Sequence, residues 1–240
     1  MKAPKSTNVN AVKASIAACL DNADRLLEET YNLEFRSPSA TRYFMAVIAQ
    51  EEVAKAFLLH LVQIGIVQLT PAVRRAINDH RCKHLVGMMM DYMIMHWDSA
   101  EELKALINFD FDMGDRLPND VGSALEILCH EKIGRWTDNS WSWAEDPAYD
   151  STALKIAEGK KDRRKQDALY VRTGGDGQLA STPSVITDDE TRLELERGRR
   201  YAQFMGSVYR GDGGGFDEIR FRKIMTALRL LFPEPLSAAS

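Results

Sequence analysis

Apolar positions recur at three- and four-residue spacing through most of the chain, the period of helices with one buried face. Between Val9 and Glu34, the residues Val12, Ile16, Cys19, Leu20, Ala23, Leu26, Leu27 and Tyr31 share a side, with Asp21, Asp24, Arg25 and Glu28 outside. Ser37-Pro38 breaks the pattern and starts a second helix, which runs to about Ile66 through Tyr43, Phe44, Val47, Ile48, Phe57, Leu58, Leu61 and Val62. A third helix is predicted over Thr70–His96. Thr70 caps it and Pro71 occupies its first turn, where a missing N–H costs nothing. Its stripe is Val73, Ile77, His80, His84, Met88, Tyr92 and Met95, so two imidazoles interrupt an apolar face. A polar helix is expected from Ser99 to Ile107. A fourth bundle helix, capped by Asn119 or Asp120, then carries Val121, Leu125, Leu128, Cys129 and Ile133. Short connections favour antiparallel neighbours, hence an up-and-down core.

The pattern changes after residue 135. Residues 136–150 hold three of the four tryptophans and break the periodicity. Residues 152–168 read as one helix carrying the basic run GKKDRRKQ. Ala168–Val171 reads as a strand, and Gly174–Gly177 as turn chemistry closing a small hairpin. Thr187 and Glu190 have capping-box spacing and open a helix through Leu193, Tyr201, Phe204 and Val208. GDGGG at 211–215 is a hinge, and Asp217–Phe232 a final amphipathic helix. The expected architecture is mainly α. Residues 1–135 form an antiparallel helical core. Residues 136–240 add the Trp-rich loop, basic helix, small hairpin and C-terminal helices packed on it.

Composition narrows the classes. Hydrophobic residues make up 45% and charged residues 28%, which fits a soluble globular protein. A net charge of −4 argues against a globally basic nucleic-acid binder, so contact with RNA needs a local patch. Cys19, Cys82 and Cys129 are widely spaced and read as reduced thiols. No apolar run has the roughly 18 residues of a membrane helix, and the first ten residues lack a signal-peptide core. The expectation is a cytoplasmic protein that is not inserted in a membrane.

Three patterns in succession resemble the AbiV family of abortive-infection (phage-defence) proteins, a branch of the HEPN superfamily. They are AQEEVAKA at 49–56, NDHRCK at 78–83, and KQDALYVRTGGDGQLASTPSVIT at 165–187. Order and spacing agree over roughly Val9 to Phe204. Arg172 departs from the pattern, where the family commonly has an acidic residue. The resemblance implies a HEPN-like bundle that often dimerises. Many HEPN proteins are metal-independent ribonucleases with an Arg-x(4–6)-His signature, which Arg75 and His80 fit with four intervening residues and Arg74 with five. Ala76 departs from the polar residue usual after the arginine. Some abortive-infection proteins act instead by binding a phage protein or a translation component.

Metal-free RNA cleavage needs a base for the 2′-OH and cations for the phosphate oxygens. His80 is the candidate acid/base and Arg75 the phosphate stabiliser, with Lys83 assisting. On one ideal helix Arg75 and His80 lie about 140° apart, so a bend or a two-fold homodimer is needed to join them. Arg74, Arg81, Arg163, Arg164, Lys165 and Tyr170 are candidate RNA contacts. Glu52 and Lys55 are read as a structural polar pair, and Glu51 or Glu52 as acceptors for His80 and His84. Glu51 and Lys55 have the i,i+4 order of a helix ion pair. His80 and His84 have ligand spacing, but the Glu-x-x-His pairs of di-iron bundles are missing, so no metal and no cofactor are expected. The competing reading treats the imidazoles as structural and the basic run as a solvated face. The glycine clusters lack a phosphate-loop setting.

Overall fold

A computed structural model describes residues 8–96, 99, 105, 117–134, 148–210, 221, 222 and 225. The elements in chain order are α1 (Val9–Glu29), α2 (Ala40–Gln63), α3 (Pro71–Asn78), α4 (His80–Met95) and α5 (Asn119–Glu126). Then come α6 (Ser151–Ala157), α7 (Lys160–Asp167), β1 (Arg172–Thr173), β2 (Leu179–Ser181) and α8 (Asp188–Tyr209). A 3-10 turn, Thr30–Leu33, follows α1, and wider π-helical turns, Ile127–Gly134, continue α5.

α2 is the central helix. Its buried residues lie all around its circumference, as expected of a helix wrapped by neighbours. α1, α4 and α8 pack directly against it. Ile16, Phe57, Leu61, Val86, Met90, Leu128, Tyr201 and Met205 join one core, so α8 contributes to the same interior as α1 to α5. Gly87 permits a close approach there. The Tyr201 hydroxyl donates to the Gly87 carbonyl at 2.5 Å, and a Cβ on Gly87 would sit 3.2 Å from that oxygen.

Local chemistry explains the helix starts. Asn8, Thr70, Asp79 and Asp150 each accept a first-turn amide with the side chain. Thr187 and Glu190 form the reciprocal capping box that their spacing predicts. The antiparallel hairpin forms, but β1 begins at Arg172; Ala168 and Leu169 instead close the last turn of α7 through their amides.

Two expected helices are each two. Asp79 adopts an extended conformation (ψ 125°), ends α3, and caps α4 by accepting the Arg81 and Cys82 amides. An aspartate that can satisfy the amides of a new helix competes with continuing the old one. The stripe from Val73 to Met95 is therefore not one face: Val73, Ile77, His84 and Tyr92 are buried, whereas His80 and Met95 are exposed. The basic helix breaks at Gly159, whose φ of 83° is left-handed and separates α6 from α7. Neither Asn119 nor Asp120 precedes α5, where Pro118 takes the cap position. The Trp-rich loop, GDGGG and most of the expected Ser99–Ile107 and Asp217–Phe232 helices lie outside the described residues. No helix among the described residues is long and apolar enough to cross a membrane.

Candidate active site at a buried carboxylate

Glu51 sits in the middle of α2 with only 2% of its side chain exposed. A bare carboxylate at that depth costs several kcal/mol, so it requires cationic or hydrogen-bonding partners. They arrive from two directions. From the first turn and a half of α4, His80 Nδ1 lies 2.5 Å from Oε2, Lys83 Nζ 3.0 Å from Oε2, and His84 Nε2 3.2 Å from Oε1. The spacing 80, 83, 84 is one helical face. From α7, Lys165 Nζ lies 2.6 Å from Oε1. Each oxygen is thus flanked by two basic groups, with His80 and Lys165 making the hydrogen bonds.

The charge state follows. Burial alone would raise the Glu51 pKa. The close approach of His84, the charge of Lys83 and the hydrogen bond from Lys165 overturn that and hold it well below the usual carboxylate range. His84 is pushed down by burial, against the opposing pull of Glu51. It is therefore neutral near pH 7, and the lysines supply the positive charge. The approach of His84 Nε2 is also poorly aligned for a hydrogen bond.

His80 differs from its neighbours. It is the first residue of α4, and half of its side chain is exposed. A nitrogen 2.5 Å from an ionised carboxylate oxygen is placed to donate, which assigns N–H to Nδ1; in the neutral imidazole Nε2 is then the nitrogen without a proton. Among the described residues, Nε2 has no hydrogen-bond partner. This is the arrangement in which a carboxylate fixes the tautomer of a general base.

A second acidic centre lies alongside, built from Glu194 of α8. Gln50 Nε2 donates to its Oε2 at 2.8 Å. Lys161 is 3.2 Å away, and Arg197 Nη1 donates to Oε1 at 2.7 Å. Arg197 continues to Asp91 of α4 at 2.9 Å. Burial favours the neutral acid here too, but Lys161 and Arg197 outweigh it and hold the Glu194 pKa at about 2. Lys83 and His84 line, with residues of the second centre, a cavity of about 440 Å³ among α2 and α4 to α8.

The sequence-predicted site residues separate into groups. Arg75 is exposed in α3, across the Asp79 break from His80, so the two occupy different helices. Lys83, expected to assist at phosphate, is buried against Glu51. Lys165, expected to bind RNA, is 4% exposed and also turned inward. Arg164 grips both carboxylate oxygens of Glu190 at 2.8 Å and donates to the Val185 carbonyl. Lys83 has an internal partner because α4 packs against α2, and Lys165 because α7 packs against both. Arg74, Arg81, Arg163 and Tyr170 are exposed. Arg81 runs past the α6–α7 corner, its Nε 3.3 Å from where a Gly159 Cβ would stand. Glu52 and Lys55 flank a separate pocket with Cys19, Leu59 and Arg74. The i,i+4 partner expected for Glu51, Lys55, is not among its partners; tertiary lysines take that role. Arg172 pairs with buried Asp167, which gives a basic residue at that position a local function.

Sequence reasoning missed Asp162, Glu194 and the inward turn of Lys165. One signal was present: Gln50 and Glu51 lie in a helix whose other buried positions are almost all apolar, so those polar groups required partners from elsewhere.

Neither the curated proteins nor the solved structures provide a match to this chain. A family model described as AbiV, of the HEPN_AbiV family, matches residues 11–201, from the first turn of α1 to Tyr201 in α8. That span contains Glu51, all four of its basic partners, and the Glu194 centre. With this helical fold and its small antiparallel sheet, the chain belongs to the AbiV family of HEPN proteins and is of the abortive-infection, HEPN type.

Proposed function

We propose that the protein is a phage-defence effector that cleaves RNA without a metal, acting as a homodimer. The observation that carries this reading is the half-exposed His80, held through Nδ1 by buried Glu51 so that Nε2 is basic and open. In the reaction, Nε2 takes the 2′-OH proton as O2′ bonds to phosphorus. The P–O5′ bond breaks, and an imidazolium returns a proton to O5′, leaving a 2′,3′-cyclic phosphate and a 5′-hydroxyl. Arg75 and the exposed Arg74 and Arg81 are the groups nearest in sequence for the developing phosphate charge. Lys83 acts through Glu51 and not at phosphate. In this proposal a second protomer supplies the arginine.

The test uses purified full-length chain and RNA in EDTA. His80→Ala should lower cleavage about 10²–10⁴-fold, the usual scale for a general acid/base. Because His80 is half exposed, urea stability should change little. Cleavage at the wild-type rate by the folded variant removes His80 from the mechanism, and light scattering reporting a monomer removes the dimer.

A second reading has its own observation. Lys161, Arg164 and Lys165 are all engaged by Glu194, Glu190 and Glu51, which leaves Lys160 and Arg163 as the exposed cations of that run. This favours a non-catalytic effector that binds a phage protein or a translation component. Retention of a stoichiometric partner from infected cells by His80→Ala, without RNA cleavage by either form, selects it.

A further inference from the structure

Lys165 occupies a position that chemistry usually reserves for a metal ion. Its Nζ lies 2.6 Å from Glu51 Oε1, 2.8 Å from Asp162 Oδ1 and 3.1 Å from His80 Nδ1. Those residue types are the donors of zinc and manganese sites. Ligating atoms from Glu51, His80 and Asp162 lie within 4.8 Å of one another. Asp162 Oδ1 is shut from solvent and makes no aligned hydrogen bond, so the nearby ammonium is its compensation. The other oxygen of Asp162 is held by Gln166 at 3.1 Å, which fixes the carboxylate.

We propose that Lys165 is the resident cation of a three-donor centre, and that removing its ammonium uncovers a site for a divalent metal such as Zn²⁺. The physical argument is one of charge and reach. Glu51 and Asp162 bring two negative charges to one place, and His80 brings a nitrogen. One cation on a four-carbon stem answers both carboxylates at once, and its nitrogen stands 3.1 Å from His80 Nδ1. Being covalently attached, it is present at unit occupancy whatever the free metal concentration. Lys165 is thereby a positioning residue: it helps fix the carboxylate that fixes the His80 tautomer. Lys83, on the other oxygen of Glu51, has no contact with Asp162 within ion-pair distance among the described residues, so it does not compete for this role.

A tetrahedral zinc with bonds of about 2.0–2.2 Å holds its ligands roughly 3.4 Å apart. The three donors must therefore close by about an ångström. His80, half exposed at the start of α4, has room to rotate towards the two carboxylates.

The test is Zn²⁺ titration of the full chain by calorimetry and by competition with a chromophoric chelator. Wild type should take up no zinc at this centre. Lys165→Ala should bind one equivalent, and Lys165→Cys, which adds a soft fourth ligand, should bind it more tightly. Adding Asp162→Asn to either variant should weaken binding at least tenfold. If a variant is unfolded without metal, zinc should restore its helical circular dichroism, because binding then drives folding. The proposal is overturned if wild type binds zinc as well as the variants do. It is equally overturned if neither variant binds zinc, or if Asp162→Asn has no effect. The reading of His80 as the reactive group enters only through a separate measurement. Metal-free Lys165→Ala should lose cleavage and show a shifted pH–rate profile, whereas the zinc result stands whether or not the protein cuts RNA.

Discussion

Buried Glu51 and partly buried Glu194 are neighbouring acids with opposite designs. Each is ringed by cations and held ionised against its burial. Around Glu194 the charges alternate: Lys161 and Arg197 face it, and Arg197 is in turn held by Asp91. This chain of opposite charges ties α2, α4, α7 and α8 together and leaves little in excess. Around Glu51 the bases outnumber the acids. Lys83, Lys165, His80 and His84 converge on Glu51, with Asp162 the only other carboxylate in the cluster among the described residues. One of those bases reaches solvent. A balanced network braces helices, whereas a network with a surplus base at the surface can exchange protons.

Four outcomes sharpen or break this contrast. The largest concerns Glu51 itself. Glu51→Ala leaves the buried Lys83 ammonium without its carboxylate and Lys165 with Asp162 alone, and should lose about 3–5 kcal/mol in urea unfolding, the scale for breaking a buried ion pair. A loss below about 1 kcal/mol would mean that the lysines find solvent easily and that the centre is not coupled. Glu194→Gln should cost less, about 1–3 kcal/mol, because the amide still accepts a hydrogen bond and Asp91 still holds Arg197. RNA cleavage should stay within about threefold, since His80 is not among its partners; a collapse of activity there would merge the two centres into one.

Acid should separate them further. Both glutamates have folded pKa values below the ordinary 4.5, to about 2 for Glu194. Their stabilisation is present above about pH 4.5 and is lost as pH falls towards 2. His84 and His60 are depressed below 6.5, chiefly by burial. Below about pH 6.5 the unfolded chain binds protons that the folded chain does not, so stability also falls there as pH drops. Urea midpoints measured from pH 8 to 3 should show a shallow decline starting near 6.5 and a steeper one below 4.5. Glu194→Gln should flatten only the lower limb. An unchanged lower limb would refute the assignment.

The smallest effect distinguishes adjacent arginines of α7. Arg163→Ala removes an exposed side chain and should leave stability within about 0.5 kcal/mol while weakening RNA retention in a filter assay. Arg164→Ala removes the Glu190 and Val185 contacts and should cost about 1 kcal/mol, with no effect on RNA. The reverse result would exchange their roles.

Helix existence and several boundaries were legible because they depend on local chemistry. The face of α1, the Thr70–Pro71 start and the Thr187–Glu190 capping box each involve residues within one turn or one stripe. The breaks were harder. Asp79 and Gly159 both sit inside helical periodicity, and each ends a helix by backbone behaviour that periodicity does not register: side-chain capping of a new first turn in one, a positive φ in the other. His80 stood out as a candidate for its chemistry, but its carboxylate partner was open between Glu51 and Glu52. Lys83, Arg164 and Lys165 look like surface cations because charge density in a sequence carries no direction. Their burial depends on which acid a distant helix presents.

By itself, the sequence determined a helical protein with the AbiV succession of motifs, since apolar period and caps act over a few residues. It also placed an imidazole among cations at 80–84. Only the tertiary structure decided which of those groups face inward. Glu51 is 29 residues from His80 and 114 from Lys165 along the chain. The energy of an unpaired buried carboxylate is large enough to draw those distant bases onto it. That pairing, made across three helices, leaves His80 alone of the four with half its surface in water.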